Sequence, residues 1–219
     1  MTSQAVLFDL DGTLADTAPD LAAAVNRLRA DQGLAPIPLE RVRPFASAGA
    51  RGLLRVGFGV EPGQAEFDAL RDAFLENYRE RTCVETRLFP GIGELLAALA
   101  ARSIRWGIVT NKATRFTDRI VAALRLEPAC VVCGDSTAHT KPHPEPLRYA
   151  AELLKLSPGA CYYLGDDLRD MQAARAAGMR AVAVQWGYHH PDSGAPGTWP
   201  ADHTIDHPMD LMARLQTPI

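Results

Sequence analysis

Apolar positions change their spacing along this chain, and each change predicts a change of element. Residues 5–10 form a short apolar run ended by acidic residues and Gly12. Its length and flanks predict a buried parallel strand. Over residues 19–29 the spacing becomes helical, with Leu21, Val25 and Leu28 on one side. Residues 33–38 read as a turn, and residues 66–81 as a second helix carrying Phe67, Leu70, Phe74 and Tyr78. No convincing strand lies between Thr17 and Arg87, so this stretch is expected to be all-helical.

Beyond Phe89 strands and helices alternate. Residues 104–109, 130–133, 161–164 and 181–184 are strand candidates. Pro90 and Gly91 mark a helix start, residues 114–124 and 145–154 read as helices, and residues 171–177 as another stopped by Gly178. Residues 192–200, rich in Gly and Pro, are expected in a surface loop, and residues 208–215 in a closing helix. The rhythm predicts an α/β fold, a doubly wound and mostly parallel sheet, with an all-helical cap inserted after the first strand. Residues 1–16 and 88–219 would form the core and residues 17–87 the cap. The active site of such a core lies at the carboxyl ends of its strands, where the cap emerges.

Composition narrows the classes. The 219 residues are 47% hydrophobic and 22% charged, which suits a large globular domain and excludes a disordered chain. With 23 basic and 26 acidic residues the net charge is -3, giving no support for a nucleic-acid or membrane-surface binder. Four cysteines are too few for a disulfide scaffold. Residues 1–4 lack the basic start of a signal peptide, and no apolar segment reaches the roughly 18 residues that span a bilayer. The chain is expected to be soluble and cytoplasmic, a monomer or homodimer, acting on a small anionic molecule.

The chemistry-bearing residues fall at the strand ends. Asp9 and Asp11 flank Leu10, so extended geometry would aim both carboxylates one way, with Gly12 and Thr13 turning the chain. Thr110 and Asn111 follow the 104–109 strand, Lys141 precedes the 145–154 helix, and Asp166, Asp167 and Asp170 follow the 161–164 strand. Converged carboxylates repel one another without a cation, and a hard divalent ion accepts their oxygens. Lys141 supplies fixed positive charge, and Thr110 and Asn111 offer a hydroxyl and backbone N–H groups for an anion. Together they outline a phosphate-monoester site.

As a set, Asp9-Leu10-Asp11-Gly12-Thr13, Thr110-Asn111, Lys141 and Gly165-Asp166-Asp167-Leu168-Arg169-Asp170 resemble the four motifs of haloacid-dehalogenase-like phosphatases with a helical cap. The resemblance spans essentially the whole chain and implies a Rossmann-like core. It implies that Asp9 is the nucleophile, forming an aspartyl-phosphate, and that Asp11 is the acid and base. It implies Mg2+ held by Asp9, the Asp11 backbone carbonyl and Asp166, with Asp170, and less directly Asp167, completing the site. Thr110, Asn111 and Lys141 would offset charge on the phosphoryl group.

The cap segment at residues 46–51 is the expected substrate reader: its small residues admit a ligand, and Arg51 offers a forked contact to a carboxylate. Gly49, Arg51 and Lys112 are therefore the expected substrate-binding positions. The motifs resemble those of bacterial phosphoglycolate phosphatases. Residues 166–170 and 186–191, with Trp199, Ala201 and Asp202, are closer to N-acetylmuramic acid 6-phosphate phosphatases of cell-wall recycling. A sugar phosphomutase and a phosphate-sensing binding protein are the alternatives on the same fold. Cys130 and Cys133 have knuckle-like spacing but no second pair for zinc, and His189 and His190 are expected to be loop residues.

Overall fold

A computed structural model describes residues 4–215. Residues 1–3 and 216–219, which include both outer ends of the expected core, lie outside the described residues. Six strands form one sheet: β1 (Ala5–Phe8), β4 (Arg105–Val109), β5 (Val131–Val132), β6 (Cys161–Gly165), β7 (Arg180–Val184) and β8 (His203–Ile205). Two more, β2 (Ala15–Asp16) and β3 (Arg87–Leu88), pair with each other. The sheet order is β5-β4-β1-β6-β7-β8, and every pairing in it is parallel. The chain therefore builds outward from β1 on one side, then returns to build on the other. That reversal opens a crevice at the carboxyl ends of β1 and β6.

Side-chain alternation divides the core into two layers. Val6, Phe8, Ile108, Leu164 and Val184 face α5 (Ile92–Ala101) and α6 (Thr114–Ala123), where Leu95, Leu99, Phe116 and Ile120 are buried. Ala5, Leu7, Val109, Tyr163, Ala181 and Ala183 face α7 (Glu145–Leu153) and α8 (Leu168–Ala177), meeting Leu147, Ala150, Met171 and Ala174. Each large aliphatic side chain so buried contributes roughly 1.5–3 kcal/mol.

The inserted helical region is α1 (Ala18–Asp31), α2 (Leu39–Val42), a 3-10 turn (Arg43–Ala48), α3 (Gly49–Phe58) and α4 (Phe67–Glu80). In the sequence α3 is hidden by Gly49, Gly52 and Gly57, which weaken helical propensity. Packing decides instead, since Leu53 and Leu54 are fully buried in the core that α1 and α4 share.

Three expectations for the core change. The 130–133 run gives only the two-residue β5, an edge strand in register with Ile108 and Val109, after which the chain turns, Cys133 N donating to Ser136 Oγ. β8 is an addition to the expected strands; its His-Thr-Ile sequence is short and mixed, and pairing with β7 defines it. The closing segment is 3-10 (Pro208–Ala213) rather than α-helical.

Asp20, in the first turn of α1, fastens the two crossings into the helical region together. Its carboxylate is fully buried and accepts from Glu85 N at 2.9 Å, Thr86 N at 2.9 Å and Thr86 Oγ1 at 2.7 Å. Asp20→Ala leaves these donors without an acceptor, and the expected loss is about 2–4 kcal/mol. Urea unfolding checks it; a loss below ~1 kcal/mol would mean that water reaches the donors.

Candidate active site

β1 carries Asp9 just past its last paired residue, and Asp9 N still donates to Leu164 O at 2.9 Å. The strand ladder thus aims the carboxylate into the crevice. Leu10 is buried and draws the chain down, and Gly12 turns it at φ 86°. A Cβ at Gly12 would lie 2.2 Å from Asp166 Oδ2, and one at Gly187 would lie 2.1 Å from Asp166 Cβ. The Asp166 carboxylate is wedged between two backbones that only glycine lets approach.

Asp9, Asp166 and Asp170 are all buried, and each offers a carboxylate oxygen within 4.8 Å of the others. Lys141 is buried among them. Its Nζ lies 2.8 Å from Asp9 Oδ1, 2.7 Å from Asp170 Oδ1 and 2.8 Å from the Tyr163 hydroxyl. Burial favours neutral lysine, but Asp170 and Asp9 outweigh it and hold the Lys141 pKa above its ordinary value. Asn111 sets the backbone beneath, accepting from Lys141 N at 2.9 Å and donating to Lys141 O at 2.9 Å.

Asp166 accepts from Thr13 Oγ1 at 3.1 Å and from Tyr188 N at 2.9 Å. Even so, burial, and then Asp9 and Asp170, push its pKa well above the usual carboxylate range. Burial likewise lifts Asp170 to about 7, against the pull of Lys141.

Asp11 faces a different way. Its carboxylate accepts from Thr17 Oγ1 and from Lys112 Nζ, at 2.9 and 3.2 Å. It stands apart from the three-carboxylate cluster. Its carbonyl oxygen faces the cap, 3.3 Å from Ser47 Oγ, which also lies 3.3 Å from Asp166 Oδ2. Thr110 is buried, and its hydroxyl accepts from Lys112 N at 3.2 Å. Asp167 caps α8, accepting from Arg169 N at 2.9 Å, and pairs with the Arg169 guanidinium at 2.8 Å.

Asp9, Asp11, Lys141, Asp167 and Asp170 line a cavity of about 280 Å³ roofed by the cap. Gly49, Thr110, Asn111 and Lys112 line it, whereas Arg51 does not. Arg51 is largely exposed, lies 3.4 Å from Glu61 and faces a neighbouring depression with Arg55 and His190. Leu21, Phe74, Leu75, Tyr78 and Phe116 form an apolar wall. Arg115 and Arg169 also line the cavity and were not among the expected site residues; a polar residue at the start of a helix gives no signal until packing is known. His189 and His190 diverge, His189 Nε2 meeting Val184 O at 2.9 Å and His190 packing edge-on against Phe45.

Residues 6–184 match the family model described as haloacid dehalogenase-like hydrolase. The chain belongs to this family. It is an enzyme, and the buried carboxylate cluster is the catalytic machinery of the family's phosphatases. Among similar proteins, an N-acetylmuramic acid 6-phosphate phosphatase of Pseudomonas putida is 42% identical over 213 residues, covering 96% of this chain and 95% of that protein. A phosphoglycolate phosphatase of Xanthomonas campestris pv. campestris is 42% identical over 210 residues, covering 95% and 94%. The crystal structure of a predicted phosphoglycolate phosphatase from Haemophilus somnus 129pt aligns with TM-score 0.84 at 29% identity, covering 99% of each chain.

The cluster of this hydrolase fits a hard divalent cation. Its donors are all carboxylate oxygens, and Asp9 Oδ1 is buried without a hydrogen bond of ordinary geometry. With all three carboxylates ionised, the one ammonium of Lys141 leaves two negative charges, which a divalent cation would neutralise.

Asp166 and Asp170 both titrate high, so at intermediate pH the folded chain binds more protons here than the unfolded chain. Without a cation, stability is expected to fall as pH rises from about 4, the unfolded Asp value, through about 7. Mg2+ at a hundred times its Kd should add ~2.7 kcal/mol, roughly 5–10 °C in Tm. Asp166→Ala should abolish that response, whereas Asp167→Ala should keep it while losing about 1 kcal/mol with the α8 cap. Thermal unfolding with and without Mg2+ decides; an unchanged response in Asp166→Ala would remove it from the ligand set.

Proposed function

We propose that this hydrolase is a Mg2+-dependent phosphatase whose substrate is N-acetylmuramic acid 6-phosphate, acting in the cytoplasm in cell-wall recycling. The observation that carries the reading is the cavity. Its floor holds Asp9, Asp170 and Lys141, and its wall is Leu21, Phe74, Leu75, Tyr78 and Phe116. A two-carbon acid has no use for that wall, whereas a sugar ring with an acetamido group covers it. The name of the Pseudomonas putida relative agrees. The Xanthomonas relative, at equal identity, favours 2-phosphoglycolate as the second reading.

In this reading residues 17–87 are the cap, residues 1–16 and 88–219 are the catalytic core, and each site residue has a role. Asp9, Asp166, Asp170 and the Asp11 carbonyl hold the cation, which when bound supplies positive charge to the phosphoryl oxygens. An Asp9 carboxylate oxygen attacks phosphorus as the bond to the leaving oxygen breaks, giving an aspartyl-phosphate. Asp11 gives its proton to the leaving oxygen. It then takes one from the water that attacks the intermediate, releasing phosphate and restoring Asp9. Lys112 and Thr17 hold the Asp11 carboxylate in place for this. Lys141, braced by Asn111, offsets charge on the phosphoryl group, and Thr110 fixes the Lys112 turn. Gly49 and the adjoining small residues leave room for the sugar.

Asp9→Asn is expected to abolish phosphate release without unfolding the chain. Asp11→Asn should slow the single-turnover chemical step by about 10²–10⁴-fold on a poor leaving group. Steady-state and rapid-quench assays read both, and near-normal turnover in Asp9→Asn would reject the nucleophile. A higher kcat/KM for N-acetylmuramic acid 6-phosphate than for 2-phosphoglycolate, at one pH and Mg2+ concentration, is the expected specificity. The reverse order would leave the chemistry standing and move the substrate to phosphoglycolate. Accumulation of an isomeric sugar phosphate in place of free phosphate would make the enzyme a mutase.

A further inference from the structure

The charged side chains lining the catalytic cavity balance in number but not in pairing. Four are acidic, Asp9, Asp11, Asp167 and Asp170, and four basic, Lys112, Arg115, Lys141 and Arg169. Lys112 pairs with Asp11, Lys141 with Asp9 and Asp170, and Arg169 with Asp167. Arg115 has no carboxylate at ion-pair distance among the described residues. Two acids that feel its charge are engaged elsewhere: Glu76 pairs with Arg79, and Asp135 accepts from Thr114 N and Oγ1.

Nor does Arg115 stabilise the helix that carries it. It is the second residue of α6, whose first turn holds no acid, so its charge opposes the helix dipole. The guanidinium lies over the Phe116 ring, 4.7 Å from its centroid, and Phe116 itself lines the cavity. A cation placed against the dipole, held on an aromatic face and open to the cavity, is placed for an anion that the chain does not supply. Lys141 already faces the floor, where phosphate binds in the proposed reaction.

We infer that Arg115 is a specificity-determining residue that binds the carboxylate of the substrate at the mouth of the catalytic cavity. This inference rests on the proposed phosphatase reading and assigns to Arg115 the carboxylate contact that the sequence suggested for Arg51. The planar guanidinium can donate two parallel N–H groups to a carboxylate, which a lysine cannot reproduce. A phosphate monoester lacking a carboxylate would leave Arg115 stacked on Phe116 and gain nothing from it.

The test compares carboxylated substrates with counterparts that lack the carboxylate: the amino-sugar pair differs by the 3-O-lactyl group, the small pair by a carboxylate in place of a hydroxymethyl. N-acetylmuramic acid 6-phosphate and N-acetylglucosamine 6-phosphate share the ring, acetamido group and phosphate; 2-phosphoglycolate and 2-hydroxyethyl phosphate form the small pair. kcat/KM is measured for the Mg2+-loaded wild type, Arg115→Ala, Arg115→Lys and Arg51→Ala. The wild type should favour the carboxylated member of its preferred pair. Arg115→Ala should cut that preference by about 10–100-fold, mostly through KM, and Arg115→Lys should restore only part. Arg51→Ala should keep the preference. The Tm of Arg115→Ala should be unchanged or slightly higher, because a cation leaves the positive end of α6, so loss of fold cannot imitate the result.

If the wild type has the preference and Arg115→Ala loses equally on both members, or on neither, the inference is overturned while the proposed substrate stands. If the preference exists only in the small pair and Arg115→Ala abolishes it there, Arg115 keeps its role and the amino-sugar reading fails. If the wild type gains nothing from a carboxylate on either scaffold, both fall.

Discussion

A buried ammonium fixes the layout of this enzyme. Lys141 reaches in among Asp9, Asp170 and Tyr163, where almost no water remains to solvate it. A charge there is tolerated only when its partners stay at bonding distance; removing one partner of such a pair typically costs about 3–5 kcal/mol. The partners come from the end of β1, from α8 and from β6, so one side chain registers three elements at once. Tyr163 extends the constraint by donating to Val109 O at 2.7 Å, which brings in the end of β4. The carboxylates are left close together with charge to spare, and that surplus is what makes the crevice a place for a divalent cation and a phosphoryl group.

The roof of the site depends on the neighbouring acids Asp166 and Asp167. Arg169, held by Asp167, donates to Ser47 O at 2.9 Å, and the Ser47 hydroxyl sits within reach of Asp166. Behind it, the Tyr188 hydroxyl accepts from Thr17 N at 2.6 Å and Ala18 N at 2.9 Å, while Tyr188 N donates to Asp166. The start of α1 and the carboxylate cluster are therefore joined through one tyrosine. In the proposed reading, chemistry and recognition occupy different layers of the cavity yet share their supports.

Much of this is legible in the sequence because strand ends are local. A short apolar run closed by acids and glycine signals both a parallel strand and the turn that ends it, and that logic places Asp9, Thr110 and Asp166 around one crevice. The all-helical nature of the insertion is equally local. Features that depend on a distant partner do not show. α3 carries three glycines and is helical because Leu53 and Leu54 find a core. β8 exists because β7 offers it an edge. The proposed exchange of roles between Arg51 and Arg115 has the same origin. Each is an arginine near a helix start, but Glu61 lies beside the first and no carboxylate among the described residues is paired with the second.

The small β2–β3 ladder has a consequence of another kind. Asp16 lies opposite Arg87 and Ala15 opposite Leu88, so the chain leaves the core and re-enters it at adjacent points. To the Rossmann-like sheet the whole helical region is then the tip of a hairpin, its ends already joined. The entropy of closing a loop rises only with the logarithm of its length, about 0.6 kcal/mol per doubling. Such a doorway tolerates insertions of widely different size. A roof of twice the length would close at this doorway for little more entropy than the present one.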